Sequence, residues 1–224
     1  MNKKTLSEQL FEQFCNSNLI KWSNIPPDDQ VSRKHPDYKI ECNGNIVIVE
    51  VKEIGESPAD RDRHLRLELT GSTGTFDPQL DERVRKKIDR AMPQLRCLAK
   101  GRYPAVIVLF DNESIIPLEG FEILSAMYGQ EIVDIGLIGN ASNPVVFICH
   151  RFGAGQKVSA KHNTTLSSIA LLTKQPDHSL HLNFYHNKYA AKPINPDWLS
   201  IAAVKHYKRG EHPGEGGLVG WEQI

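Results

Sequence analysis

Apolar residues near the start of the chain recur at helical spacing. Leu6, Leu10, Phe11 and Phe14 fall on one stripe, which predicts an amphipathic helix from Thr5 to about Cys15, capped by Thr5 or Ser7. The pattern then shifts to extended chain. Residues 37–42 and 45–53 read as two strands divided by Asn43-Gly44, and Asn-Gly between alternating hydrophobics is the strongest short-range hairpin signal. Residues 54–78, with GESPADRDR and GSTGTFDP, predict a long polar connection of the kind that usually serves function or motion. A helix follows over 79–100, with Pro93 expected to kink or split it. The continuous apolar run Ala105–Phe110 predicts a central strand covered on both faces. Beyond it the pattern gives a helix near Glu119–Tyr128, a strand over Val145–Cys149 and a late hairpin from 166–173 and 179–185. The glycine-rich residues 210–224 predict a flexible tail. Together these elements predict one α/β domain over residues 1–209, with a mixed sheet between helices.

Composition narrows the class. The 224 residues are 40% hydrophobic and 24% charged, which is enough for a sizeable core and too apolar for a disordered chain. Twenty-seven Lys and Arg balance twenty-seven Asp and Glu, so total charge says nothing about a nucleic-acid partner. The distribution says more. Residues 103–150 contain no Lys or Arg, whereas 61–102 carry eleven against six acidic residues, so the latter segment is the one suited to phosphates. No run approaches the ~18 apolar residues of a membrane span. The segment MNKKTLSEQLFEQF has no continuous apolar region, so no secretory leader is expected. Cys15, Cys42, Cys97 and Cys149 are far apart, which fits mostly buried thiols in a reducing compartment and a cytoplasmic protein.

The hairpin is where chemistry gathers. If Asn43 and Gly44 are its loop, Cys42 faces Asn45 and Asp37 lies across from Glu50. Side chains alternate along a strand, so Ile46, Ile48, Glu50 and Lys52 share a face with Asp37. Val47, Val49 and Val51 take the other face, suited to packing under a helix. Directly opposed side chains sit about 5 Å apart, and like charges there destabilise the pair. A divalent cation bridging both carboxylates removes that cost. Mg²⁺ suits the site, with Mn²⁺ as a substitute, because it takes carboxylate oxygens and keeps several waters. Lys52 is placed to orient or help deprotonate a water, or to offset charge growing on a phosphate. Such a constellation can hydrolyse a phosphodiester.

Pro36-Asp37, followed by Glu50-Val51-Lys52 at the end of the IVIVEVK strand, resembles the PD-(D/E)XK nuclease superfamily over about residues 5–110. The resemblance implies a restriction-endonuclease-like three-layer domain, with a central mixed β-sheet flanked by helices. It implies metal held by Asp37, Glu50 and the backbone of Val51, with Lys52 assisting the nucleophile. A glutamate of the first helix commonly completes such a site. Glu8 and Glu12 both qualify, and Glu8 is preferred because Glu8-Gln9-Leu10-Phe11 matches the family's ExxF. Lys87, Arg90 and Gln94 of the following helix are the counterparts of phosphate contacts. The implied activity is that of a Mg²⁺-dependent endonuclease on double-stranded DNA, working as a homodimer because two sites are needed to cut both strands. The alternatives are an RNA-cleaving enzyme and a non-catalytic nucleic-acid-binding or interaction module.

Other signals carry less. Gly71–Thr75 lacks the spacing and the lysine of a phosphate-binding loop. His178 and His181 have no second pair to make a zinc site. Tyr185-His186-Asn187 lacks a second histidine at nuclease-motif spacing. His35, immediately before Pro36, is expected in solvent, with a place near the metal as the alternative. Trp22, Trp198 and Trp221 are too dispersed for a base-stacking platform.

Overall fold

The computed structural model describes residues 4–26, 35–55, 58–71, 80–112, 117–138, 145–210 and 220–224. The elements in chain order are α1 (Leu6–Ser17), β1 (Lys21–Asn24), β2 (Tyr38–Cys42), β3 (Asn45–Ile54), α2 (Pro58–Thr70), α3 (Leu80–Ala99) and β4 (Ala105–Asp111). Then come α4 (Gly120–Tyr128), β5 (Glu131–Ile138), β6 (Val145–Phe152), β7 (Leu166–Lys174), β8 (Leu180–His186), a 3-10 turn over Pro196–Leu199, β9 (Val204–Arg209) and β10 (Trp221–Gln223).

Eight strands form one mixed sheet in the order β1-β2-β3-β4-β7-β8-β9-β10, while β5 and β6 pair separately. The β1, β2 and β3 neighbours are antiparallel; β4 then adds parallel to β3, and β7 parallel to β4. Ala105–Phe110 is buried throughout, as a strand hydrogen-bonded on both edges and covered on both faces must be.

Strand alternation divides the core into two layers. On one face Ile48, Ile107, Leu109 and Ile169 pack with Val84, Ile88, Met92 and Leu95 of α3 and with Ile123 and Met127 of α4. On the other, Val47, Val49, Val51, Val106 and Val108 pack under Phe11 and Phe14 of α1 and beside Leu199. Burying each phenylalanine of α1 contributes about 3 kcal/mol. The chain is therefore a mixed α/β structure with helices on both faces of its central sheet.

Thr5, rather than Ser7, caps α1: its hydroxyl accepts from the Glu8 amide while the Glu8 carboxylate receives the Thr5 amide. The buried stripe runs through Ser7, Phe11, Phe14 and Cys15, one position round from the expected one, so Leu6 is exposed. The Asn-Gly turn forms as expected, with Asn43 and Gly44 at φ 47° and 76°, the twisted two-residue turn that matches strand twist.

Three expectations are corrected. The connection over 54–78 is not all loop, because Pro58–Thr70 is helical. Pro58 opens the helix where a missing N–H costs nothing, and no described residue of α2 is buried, so no apolar stripe marks it. Residues 72–79, with most of the GSTGT segment, lie outside the described residues. Pro93 does not split the following helix; α3 runs through it as one element. Trp221–Gln223, placed in the flexible tail, is instead an edge strand antiparallel to β9. It is anchored by Trp221, which is buried and donates from Nε1 to the Gly120 carbonyl at 2.7 Å. Residues 211–219 lie outside the described residues. No helix among those described is long and apolar enough to cross a membrane.

Candidate metal and phosphate site

The turn sets the register. Cys42 pairs with Asn45 and Tyr38 with Val49, so Asp37, the residue before β2, comes level with Glu50. Where the β2 ladder stops, the Asp37 side chain continues it: Oδ2 accepts the Val51 N–H at 2.8 Å. Val51, expected as a backbone ligand, thus also fixes Asp37 through its amide.

Glu50 lies on the α3 face of the sheet and is completely buried. Its Oε1 receives the Lys52 ammonium, two residues along the same face. Its Oε2 is buried without a hydrogen-bond partner. Burial, and then the neighbouring Asp37 charge, raise the Glu50 pKa from an ordinary 4.5 to about 7; Lys52 and the Asp37 amide oppose the rise. Asp37 is raised as well, chiefly by burial, with the Val51 amide and Lys52 pulling it back. Two carboxyl groups thus share one desolvated corner, with Lys52 as the adjacent cation.

An orphaned, buried carboxylate oxygen is costly. Here it sits beside a second carboxyl group, and both offer hard oxygen donors. That donor set fits Mg²⁺ or Mn²⁺, which bind through one or two carboxylates and retain waters. Among the described residues no three His, Cys, Asp or Glu side chains converge as a metal cage, and Asp37, Glu50 and nearby backbone are the oxygen donors this corner offers.

The glutamates of α1 are both engaged. Glu12 accepts the Tyr38 hydroxyl at 2.7 Å and pairs with Lys4 at 2.6 Å. Glu8 closes the cap, yet its charge reaches Asp37 and helps raise it. Of the two, Glu8 acts on the carboxylate corner.

From the opposite side, α3 brings Lys87, Arg90 and Gln94 along one helical stripe. Lys87 is half-buried, and its pKa is lowered by burial, by Arg90 and by Lys52, with Glu53 opposing. Lys87, Arg90 and Lys52 thus lie close enough for their charges to interact. Gln94 plays a part its sequence position did not reveal: its side-chain amide donates to the His35 carbonyl at 3.2 Å, tying α3 to the segment that carries Asp37. His35, expected in solvent, is half-buried, and its Nε2 is buried without a partner. Sequence reasoning missed Tyr38 as the group that occupies Glu12; its place beside Asp37 in a strand starting under α1 was the available signal.

Elsewhere, His178 is exposed in the β7–β8 turn at φ 66°. His186 bonds His206 across the β8–β9 edge at 2.9 Å. Among the described residues neither lies in a cluster of three or more metal-binding side chains.

Comparison with known proteins finds no matching family model, no matching curated protein and no matching solved structure.

Proposed function

We propose that the chain is a divalent-metal-dependent nuclease of the PD-(D/E)XK type, with a restriction-endonuclease-like core, acting on DNA. The observation that carries this reading is Glu50: a fully buried carboxylate, one oxygen unpartnered, level with Asp37 and paired to Lys52. A core that needed only packing gains nothing from an acid there, since an apolar side chain of similar volume is cheaper to bury. A site that gathers charge at a scissile phosphate does need one.

In this reading Asp37 and Glu50 hold a Mg²⁺ or Mn²⁺ ion, with the Val51 backbone and waters. The ion, when bound, supplies Lewis acidity toward a phosphate oxygen and a more acidic water. The chain's own residues do the remainder. Val51 holds Asp37 through its N–H, so the carboxylate does not have to be ordered during reaction. Lys52, on the same strand face as Glu50 and paired to it, would orient the attacking water or offset the charge developing on phosphate. Lys87 and Arg90 add positive potential along the approach of the phosphate backbone.

The Lys52–Glu50 ion pair is also what a non-catalytic module built on the same fold would keep, and metal dependence separates the two. Purified protein is incubated with linear and circular DNA and Mg²⁺ or Mn²⁺, beside Asp37→Ala and Lys52→Ala. The wild type is expected to cut, and each variant to lose about 10²-fold or more. Equal cutting by all three, or cutting that persists in EDTA, refutes the proposal. An RNA strand under identical conditions decides between DNA and RNA.

A further inference from the structure

A cleft of about 810 Å³ runs beside α3, lined by Arg90, Pro93, Gln94, Arg96, Cys97, Lys100 and Thr165. Its α3 residues continue the stripe that begins at Lys87, beside Lys52. From Arg90 to Lys100 the helix rises about 15 Å, so the cleft leads away from the carboxylate corner. Three of its described lining side chains are cationic and none of those described is acidic. Arg90 and Lys100 form no ion pair with any described residue. The far wall is built. Arg96 donates to the Asn163 side chain, and buried Asn163 donates in turn to the Lys157 carbonyl at 2.7 Å, holding the segment before Thr165 against the helix.

We propose that this cleft binds the sugar–phosphate backbone of a single nucleic-acid strand running to or from the carboxylate site. The inference rests on the nuclease reading above for the nature of its ligand and adds the strandedness. Cations without acids select a polyanion. The volume falls in the range that takes a small molecule or a short piece of one strand. A cleft of that volume cannot enclose a duplex, so only one strand can seat within it. Among the described residues no aromatic side chain lines the cleft, so the strand is gripped through its phosphates and binding is sequence-neutral.

Cys97 reports occupancy, because it is exposed within the cleft, whereas Cys15 and Cys42 are buried. In EDTA, which silences cleavage, fluorescein-labelled oligothymidylate is titrated by anisotropy, and alkylation of Cys97 by N-ethylmaleimide is read by peptide mass spectrometry. The strand is expected to protect Cys97. Arg90→Ala and Lys100→Ala are each expected to weaken binding several-fold and to flatten the dependence of log K on log salt by about 0.7. Lys100→Arg should bind as wild type, as should Lys205→Ala on distant β9. The same strand annealed to oligoadenylate should protect Cys97 less. Unprotected Cys97, cleft variants that bind as wild type, or equal protection by the duplex overturns the inference. Protection without metal-dependent cleavage sinks the nuclease reading alone, and cleavage without protection sinks the cleft alone.

Discussion

Replacing Glu50 by glutamine keeps the shape of the side chain and removes its charge. The folded chain holds a proton on Glu50 up to about pH 7, against an ordinary 4.5. Proton binding therefore favours the native state, fully below about pH 4.5, and that contribution is lost as pH rises through about 7. The gap between the two values corresponds to about 3 kcal/mol, a large part of a domain's net stability. Asp37, raised in the same direction, adds to the loss. Urea unfolding in EDTA between pH 4.5 and 8 is expected to show wild-type stability falling across that window. Glu50→Gln, which keeps only the Asp37 contribution, should fall far less across it and be the more stable protein at pH 8. Adding Mg²⁺ or Mn²⁺ at pH 8 should restore the wild type and leave Glu50→Gln unchanged, because the ion needs the charged carboxylate. A wild type flat in pH, or a Glu50→Gln variant that metal stabilises equally, refutes the idea that this acid is kept buried for an ion.

Two further perturbations test the frame around the site. Gln94→Ala removes the bond to the His35 carbonyl; denaturation should register about 1 kcal/mol, while calorimetry should register a loss of Mn²⁺ affinity of about tenfold or more, as expected for a group that orients a ligand. Phe11→Ala empties a fully buried position of α1 and should cost about 3–5 kcal/mol in urea unfolding; a loss below 1 kcal/mol would mean that α1 does not cover the hairpin.

Much of the site was legible because local rules govern it. Asn43-Gly44 fixed the turn, the turn fixed the register of Tyr38 with Val49, and alternation then put Glu50 and Lys52 on one face and the valines under α1. Period and length sufficed for α1, β4 and α4. Other parts left no local signal. The described residues of α2 present no buried stripe: Leu65 and Leu69 are exposed beside a His64–Glu68 pair at 2.9 Å, so its composition read as loop. β1, of four residues, is held by pairing with β2 and shows no pattern of its own. Among the described residues the β5 strand pairs only with β6, and its Ile135 is exposed, so burial does not enforce a clean alternation. Trp221 folds back onto Gly120, about a hundred residues earlier in the chain, and only the assembled sheet brings them together. The roles of Gln94 and Tyr38 are likewise long-range: each bonds a residue more than twenty positions away.

The central claim is that Asp37 and Glu50 bind one divalent ion between them. A crystal grown above pH 7 and soaked in Mn²⁺ tests it through anomalous scattering. The account predicts a single strong peak within bonding distance of an Asp37 carboxylate oxygen and of Glu50 Oε2, absent from Glu50→Gln. No peak at that corner, or one that survives the substitution, would contradict it.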